Sequence, residues 1–181
     1  MTHDVVVCDP PWDHYGSGTK MGAAAKEYPL IPDEQMLELP IGDFLSKPGV
    51  LFLWATCPRL DFAISCINSW GLHYRGVAFV WVKTRQDGTP IGAQGVRPSI
   101  TKPLTELVLA VSTERKGRPL PLASESVCQT VFAPRGKHSE KPDGVQEKIE
   151  QMYPEMTKLE LFARRERPGW DSIGQELGTM I

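Results

Sequence analysis

Six short apolar runs recur along this chain, at residues 5–8, 50–56, 77–83, 107–113, 130–133 and 158–164. Each is too short for a helix and bounded by turn formers or an amphipathic stretch, the signature of a strand buried on both faces. Between the second and third, residues 58–70 place Leu60, Ala63, Ile64 and Ile67 at helical spacing, with Pro58 near the start and Gly71 just past the end. A second helix is expected over 142–153, burying Val145, Ile149 and Met152 before Pro154 stops it, and a shorter one over 33–39. Strand, helix, strand alternation constrains the chain to the α/β class, with a mostly parallel sheet and helices on both faces. A length of 181 residues allows one well-buried domain and is short for two, so a single domain spanning 1–181 is expected.

The first run ends in Asp9-Pro10-Pro11-Trp12. In open α/β sheets, ligands bind outside the carboxyl ends of the strands. Proline fixes φ and leaves its own carbonyl as an acceptor with no competing N–H. A nucleobase amine placed here donates one hydrogen to Asp9 and another to the Pro10 carbonyl, while Trp12 offers an apolar face for the ring. A polar turn capped by prolines after a buried strand is the plain alternative. Two stretches poor in periodicity and rich in turn formers, 13–32 and 84–103, follow the first and third predicted strands and are expected to overhang the same edge of the sheet.

Charge is distributed unevenly. From 72 to 120 there are eight Lys or Arg against three acids, while the whole chain carries a formal charge of −2. A localised basic face suits an anionic ligand, a solvated basic loop being the alternative. Hydrophobic residues make up 41% and charged residues 23%, a soluble globular composition, and no apolar run approaches a bilayer span. Met1-Thr2-His3-Asp4 lacks the basic region of a signal peptide, so a cytoplasmic protein is expected. Cysteines 8, 57, 66 and 128 show no CxxC spacing, and histidines 3, 14, 73 and 138 are scattered; reduced thiols and no metal site are expected.

Five blocks in order carry a resemblance to a known family: Asp9-Pro10-Pro11-Trp12; Val50-Leu51-Phe52-Leu53-Trp54; Ala78-Phe79-Val80-Trp81-Val82-Lys83-Thr84; His138 with Lys141-Pro142-Asp143; and Leu159-Glu160-Leu161-Phe162-Ala163-Arg164 with Pro168-Gly169-Trp170. Together they resemble the MT-A group, the family of the catalytic subunit of eukaryotic mRNA adenosine methyltransferase and its bacterial and phage relatives. The likeness covers nearly the whole chain. It implies a Rossmann-like methyltransferase fold in circularly permuted order, with the catalytic strand first and the cofactor strand late, which accounts for the absence of a GxGxxG loop after the first strand.

The resemblance further implies that S-adenosylmethionine is held by Asp9, Glu160, Arg164, Gln175 and Glu176, and that a lysine meets its carboxylate. Thr113, Arg115 and Lys116 lie in the expected stretch, and Lys116 is the choice among them. Family members have asparagine where this chain has Gln175, and an aromatic-rich segment where it reads Gly95-Val96-Arg97-Pro98-Ser99. The implied reaction is methylation of the 6-amino group of adenine in nucleic acid, with Asp9, Pro10, Pro11 and Trp12 as the catalytic set. Trp12 and Tyr28 are expected to sandwich the base, and Lys83, Arg97 and Lys102 to contact phosphates. The compact chain resembles the bacterial and phage branch, which favours DNA over RNA. A second subunit or a homodimer is compatible with it. The competing expectations are a non-catalytic nucleic-acid-binding subunit, and an amino methyltransferase acting on a protein or small molecule.

Overall fold

The computed structural model describes residues 1–12, 31–92, 100–136 and 140–179. Seven strands, β1 (His3–Cys8), β2 (Leu45–Thr56), β3 (His73–Thr84), β4 (Thr105–Ser112), β5 (Thr130–Pro134), β6 (Lys158–Leu161) and β7 (Asp171–Ile173), form one sheet in the order β5-β3-β4-β2-β1-β6-β7. Among the described residues three α-helices accompany it: α1 (Asp33–Glu38), α2 (Leu60–Ser69) and α3 (Asp143–Met152). The six predicted runs and three predicted helices all form.

Strand β1 lies between β2 and β6 and is parallel to both. Its Val5, Val6, Val7 and Cys8 are wholly buried because helices cover both faces of the sheet there. Alternate residues point to opposite faces. Val6 and Cys8 pack with Leu51, Leu53 and Leu109 beneath Met36 of α1 and Ala63, Cys66 and Ile67 of α2. Val5 and Val7 pack with Phe52, Trp54, Phe79 and Trp81 beneath Val145 and Ile149 of α3.

The sheet is mostly parallel, as expected, with one reversal: β4 runs antiparallel to both β2 and β3. The reversal matters because it turns the beginning of β4 toward the edge where the other strands end. Glu106 stands in register with Thr56 of β2 and Trp81 of β3 at that edge.

Two details differ from the sequence expectation. The run expected to extend to Arg164 ends as a strand at Leu161, because Phe162 takes a left-handed φ of 62° that a strand cannot contain. Residues Asp171–Ile173 add a seventh strand beside β6 that carries no apolar run and is legible only through its pairing. Among the described residues no helix is long and apolar enough to cross a membrane, no group of three or more His, Cys, Asp or Glu is placed to hold a metal ion, and all four cysteines are free thiols.

Candidate active site

The chain leaves β1 through a tight turn. The Asp9 N–H reaches the Leu161 carbonyl of β6 at 3.5 Å, and the Trp12 N–H donates to the Pro10 carbonyl at 2.8 Å. One lone pair of the Pro10 oxygen therefore remains for another donor. Trp12 is 5% exposed; its indole N–H donates to the Trp54 carbonyl at 2.9 Å and its ring meets Phe62 edge-on. This corrects the expectation of an open stacking platform, because the indole is part of the core and pins the diproline turn to β2 and α2.

Four charges line the edge from β1 to β3. Lys141, just ahead of α3, places Nζ 2.8 Å from Asp9 Oδ2 and 3.4 Å from Glu106 Oε2. The other Glu106 oxygen pairs with Lys83, at the end of β3. The two ammonium groups lie over indoles, Lys141 at 5.3 Å from the Trp54 centroid and Lys83 at 5.1 Å from that of Trp81. Trp54 and Trp81 themselves pack edge to face, and the Trp81 N–H is fixed by the Ala133 carbonyl of β5. The result is an alternating row of carboxylate, ammonium, carboxylate, ammonium, each side chain less than a quarter exposed.

Burial dominates the titration of Asp9 and raises its pKa, although Lys141 pulls the other way. Burial alone would also raise Glu106, but Lys141 and Lys83 outweigh it and hold that carboxyl below its ordinary value. Lys141 is raised despite its burial, since two carboxylates face it. Asp9 and Glu106 thus have different environments on either side of one lysine.

Beyond β1, the same edge of the sheet continues along β6 and β7. Glu160 is pushed up to about 6 by burial and by the neighbouring charge of Asp9. Gln146 of α3 donates to it at 3.4 Å, and the buried Gln146 Oε1 and Ser172 Oγ, both beside Glu160, have no hydrogen-bond partner among the described residues. Arg164 lies 3.5 Å from Glu176. Gln175 and Glu176 occupy an exposed 3-10 turn, which Gly174 seats against the Ala163 backbone: a β-carbon on Gly174 would fall 1.9 Å from the Ala163 oxygen. Arg167, in the connection between β6 and β7, ties that segment to α3 through Asp143 and Glu150, at 2.9 and 2.7 Å.

The structure therefore brings Asp9, Glu160, Arg164, Gln175 and Glu176 to the carboxyl ends of β1, β6 and β7. It does not bring Lys116 there. Ser112, the last residue of β4, stands in register with Val50 and His73 at the opposite edge, and Lys116 follows in a turn held by Arg75, which donates to the Glu114 carbonyl at 2.7 Å. The antiparallel course of β4 is the physical reason. Lys102 is exposed just ahead of β4, and Lys83 is engaged by Glu106 rather than turned outward. Tyr28, Arg97 and His138 lie outside the described residues. Sequence reasoning missed two site members. Lys141 stood in a quoted block with no role given to it, and Glu106 was marked only by being an acid at the head of an otherwise apolar strand.

A mostly parallel sheet, helices on both faces and a row of charged side chains at the carboxyl ends of its central strands define a Rossmann-like α/β protein with a candidate ligand site on its first strand. The family model described as MT-A70 matches residues 3–176. The chain is 32% identical over 193 residues to the type II methyltransferase M.MunI of Mycoplasma sp, covering 97% of this chain and 78% of that protein. Over 175 residues it is 30% identical to the human N(6)-adenosine-methyltransferase catalytic subunit METTL3, and 28% identical to the MT-A70-like protein of Drosophila melanogaster. These alignments take in 96% of this chain but only 28% and 26% of the two animal proteins. The chain belongs to the MT-A70 family.

Proposed function

We propose that this chain methylates the 6-amino group of adenine in nucleic acid, using S-adenosylmethionine, with DNA preferred to RNA. The observation that carries the reading is a half-buried carboxylate, Asp9, at the carboxyl end of the central strand, followed by a diproline turn with a spare carbonyl lone pair. An aromatic amine is a poor nucleophile because its lone pair is conjugated with the ring. Asp9 and the Pro10 carbonyl accept its two hydrogens and favour a localised lone pair, so the chain contributes orientation and electrostatics. Trp12 fixes the turn that sets this geometry. The surplus proton passes to water, and no separate base is needed.

The residues along β6 and β7 suit the cofactor. When bound, S-adenosylmethionine supplies a methyl group on a positively charged sulfur. Glu160 offers acceptors for ribose hydroxyls, and the unpartnered Gln146 Oε1 and Ser172 Oγ beside it are acceptors and donors awaiting a polar ligand. Gln175 and Glu176 follow β7 at the same edge, with Arg164 paired to Glu176. The cation for the cofactor carboxylate is Lys141 in place of Lys116: two of its three N–H donors go to Asp9 and Glu106, and the third is available. DNA is favoured because the likeness to the type II methyltransferase spans 78% of that protein, against 28% of METTL3. Lys102, just ahead of β4, is on the correct edge to meet phosphates, and Tyr28 and Arg97 are proposed as further substrate contacts. A partner subunit or second copy is compatible with this reading.

The test is to incubate the chain with isotopically labelled S-adenosylmethionine and single-stranded DNA, duplex DNA or RNA, then to identify modified nucleosides by mass spectrometry. Labelled N6-methyladenine is expected, most from DNA, and Asp9→Ala is expected to reduce it on the order of a hundredfold or more. Nucleic-acid binding with no cofactor binding would favour a non-catalytic subunit. Label appearing only in protein or small molecules would replace the acceptor.

A further inference from the structure

We propose that Glu106 is a positioning residue that receives Lys141 while Asp9 engages the acceptor amine. The inference rests on the methyltransferase reading above and adds a residue to it. Asp9 Oδ2 holds the Lys141 ammonium at 2.8 Å, so the acceptor carboxylate is engaged by a cation. That contact drains the carboxylate of accepting strength. For Asp9 to turn its full charge to an amine, Lys141 must give way.

Lys141 cannot give way to water. Its side chain is 14% exposed, and a buried ammonium without a counter-charge is strongly disfavoured. Among the described residues the other carboxylate paired with it is Glu106, whose Oε2 already stands at 3.4 Å. A small swing of the lysine tip therefore exchanges one carboxylate for the other without leaving the charge unpaired, and the Trp54 ring lies beneath Nζ, 5.3 Å from its centroid.

Glu106 is itself held from behind. Its Oε1 pairs with Lys83, which rests over Trp81, and Trp81 is fixed to the Ala133 carbonyl. The acceptor of the moving lysine is thereby immobile, while the lysine, the one member shared between two carboxylates, is the mobile part. The reversal of β4 supplies this carboxylate to the edge.

Turnover and binding of Glu106→Gln and Glu106→Asp distinguish this role from a structural one. Glu106→Gln is expected to lower kcat on the order of tenfold or more while S-adenosylhomocysteine affinity, read by calorimetry, stays within about threefold. Glu106→Asp, which keeps the charge, is expected to recover part of kcat. In a Lys141→Met background the same Glu106→Gln change is expected to cost less than about threefold, because Glu106 acts through the lysine. A structure of the wild-type chain with S-adenosylhomocysteine and an adenine-containing oligonucleotide is expected to show Nζ closer to Glu106 than to Asp9. Unchanged kcat in Glu106→Gln, an equal loss in both backgrounds, or a lysine still seated on Asp9 in the ternary complex overturns the proposal alone. A wild-type chain that methylates no adenine removes the methyltransferase reading, and this inference with it.

Discussion

On the β4 side of Asp9, each charge touches an opposite charge and each ammonium lies over an indole. On the β6 side, Glu160 forms no ion pair among the described residues, two neighbouring polar atoms are unpartnered, and Arg164 meets Glu176 at a rim where the glutamate is 57% exposed. The first half is a closed network in which each charge has an opposite partner, so that a shift of the lysine exchanges one partner for another. The second is a set of donors and acceptors left open. Paired charges preorganise chemistry, while unpaired polar groups bind. Asp9 is the residue the two halves share.

The largest expected effect comes from breaking the paired half. Lys141→Met leaves Asp9 without its cation and Glu106 with Lys83 alone, both carboxylates half-buried, and urea denaturation at neutral pH should show a loss of about 2 kcal/mol. Removing a rim partner instead, Glu176→Ala, should cost less than about 1 kcal/mol, since that pair is exposed and screened. Equal losses would mean that the two halves are not different in kind.

A smaller effect, confined to the open half, concerns pH. Glu160, at about 6 in the folded chain against an ordinary 4.5, binds more protons than its unfolded counterpart between those values. Its contribution to stability is therefore present at low pH and declines as pH rises from about 4.5 toward 6. Ligand binding should run the other way: an ionised Glu160 is the better acceptor for hydroxyl donors, so S-adenosylhomocysteine affinity should rise between pH 5 and 7 with a midpoint near 6. Calorimetric titrations across this range check it, and Glu160→Gln should flatten the curve. A midpoint unchanged by that substitution would assign the titration to another group.

The fold was legible because periodicity is local. The run at 5–8 and the spacing of Leu60, Ala63 and Ile67 carry their burial in their order, and helices on both faces follow from it. Strand direction is not local. Nothing in residues 105–112 announces that β4 runs against its neighbours, and that reversal decides which charges share an edge. Glu106 was invisible as a site residue for this reason. Trp12 failed differently: an indole after a strand suits either a ligand face or a turn anchor, and only the Trp54 carbonyl and Phe62 decide for the anchor.

The smallest expected effect comes from Lys116, and it tests the assignment of edges directly. The residue is exposed at the edge where β2 and β3 begin, in a turn whose carbonyls are held by Arg75 instead of by any ligand group. Lys116→Ala should leave S-adenosylhomocysteine affinity and stability within the scatter of ordinary surface substitutions, about 0.5 kcal/mol. Lys141→Met should lower that affinity on the order of tenfold or more, the loss of one charge-assisted contact. If Lys116→Ala weakened binding and Lys141→Met did not, the cofactor carboxylate would lie at the far edge, and the division of Asp9's surroundings into a paired half and an open half would fail.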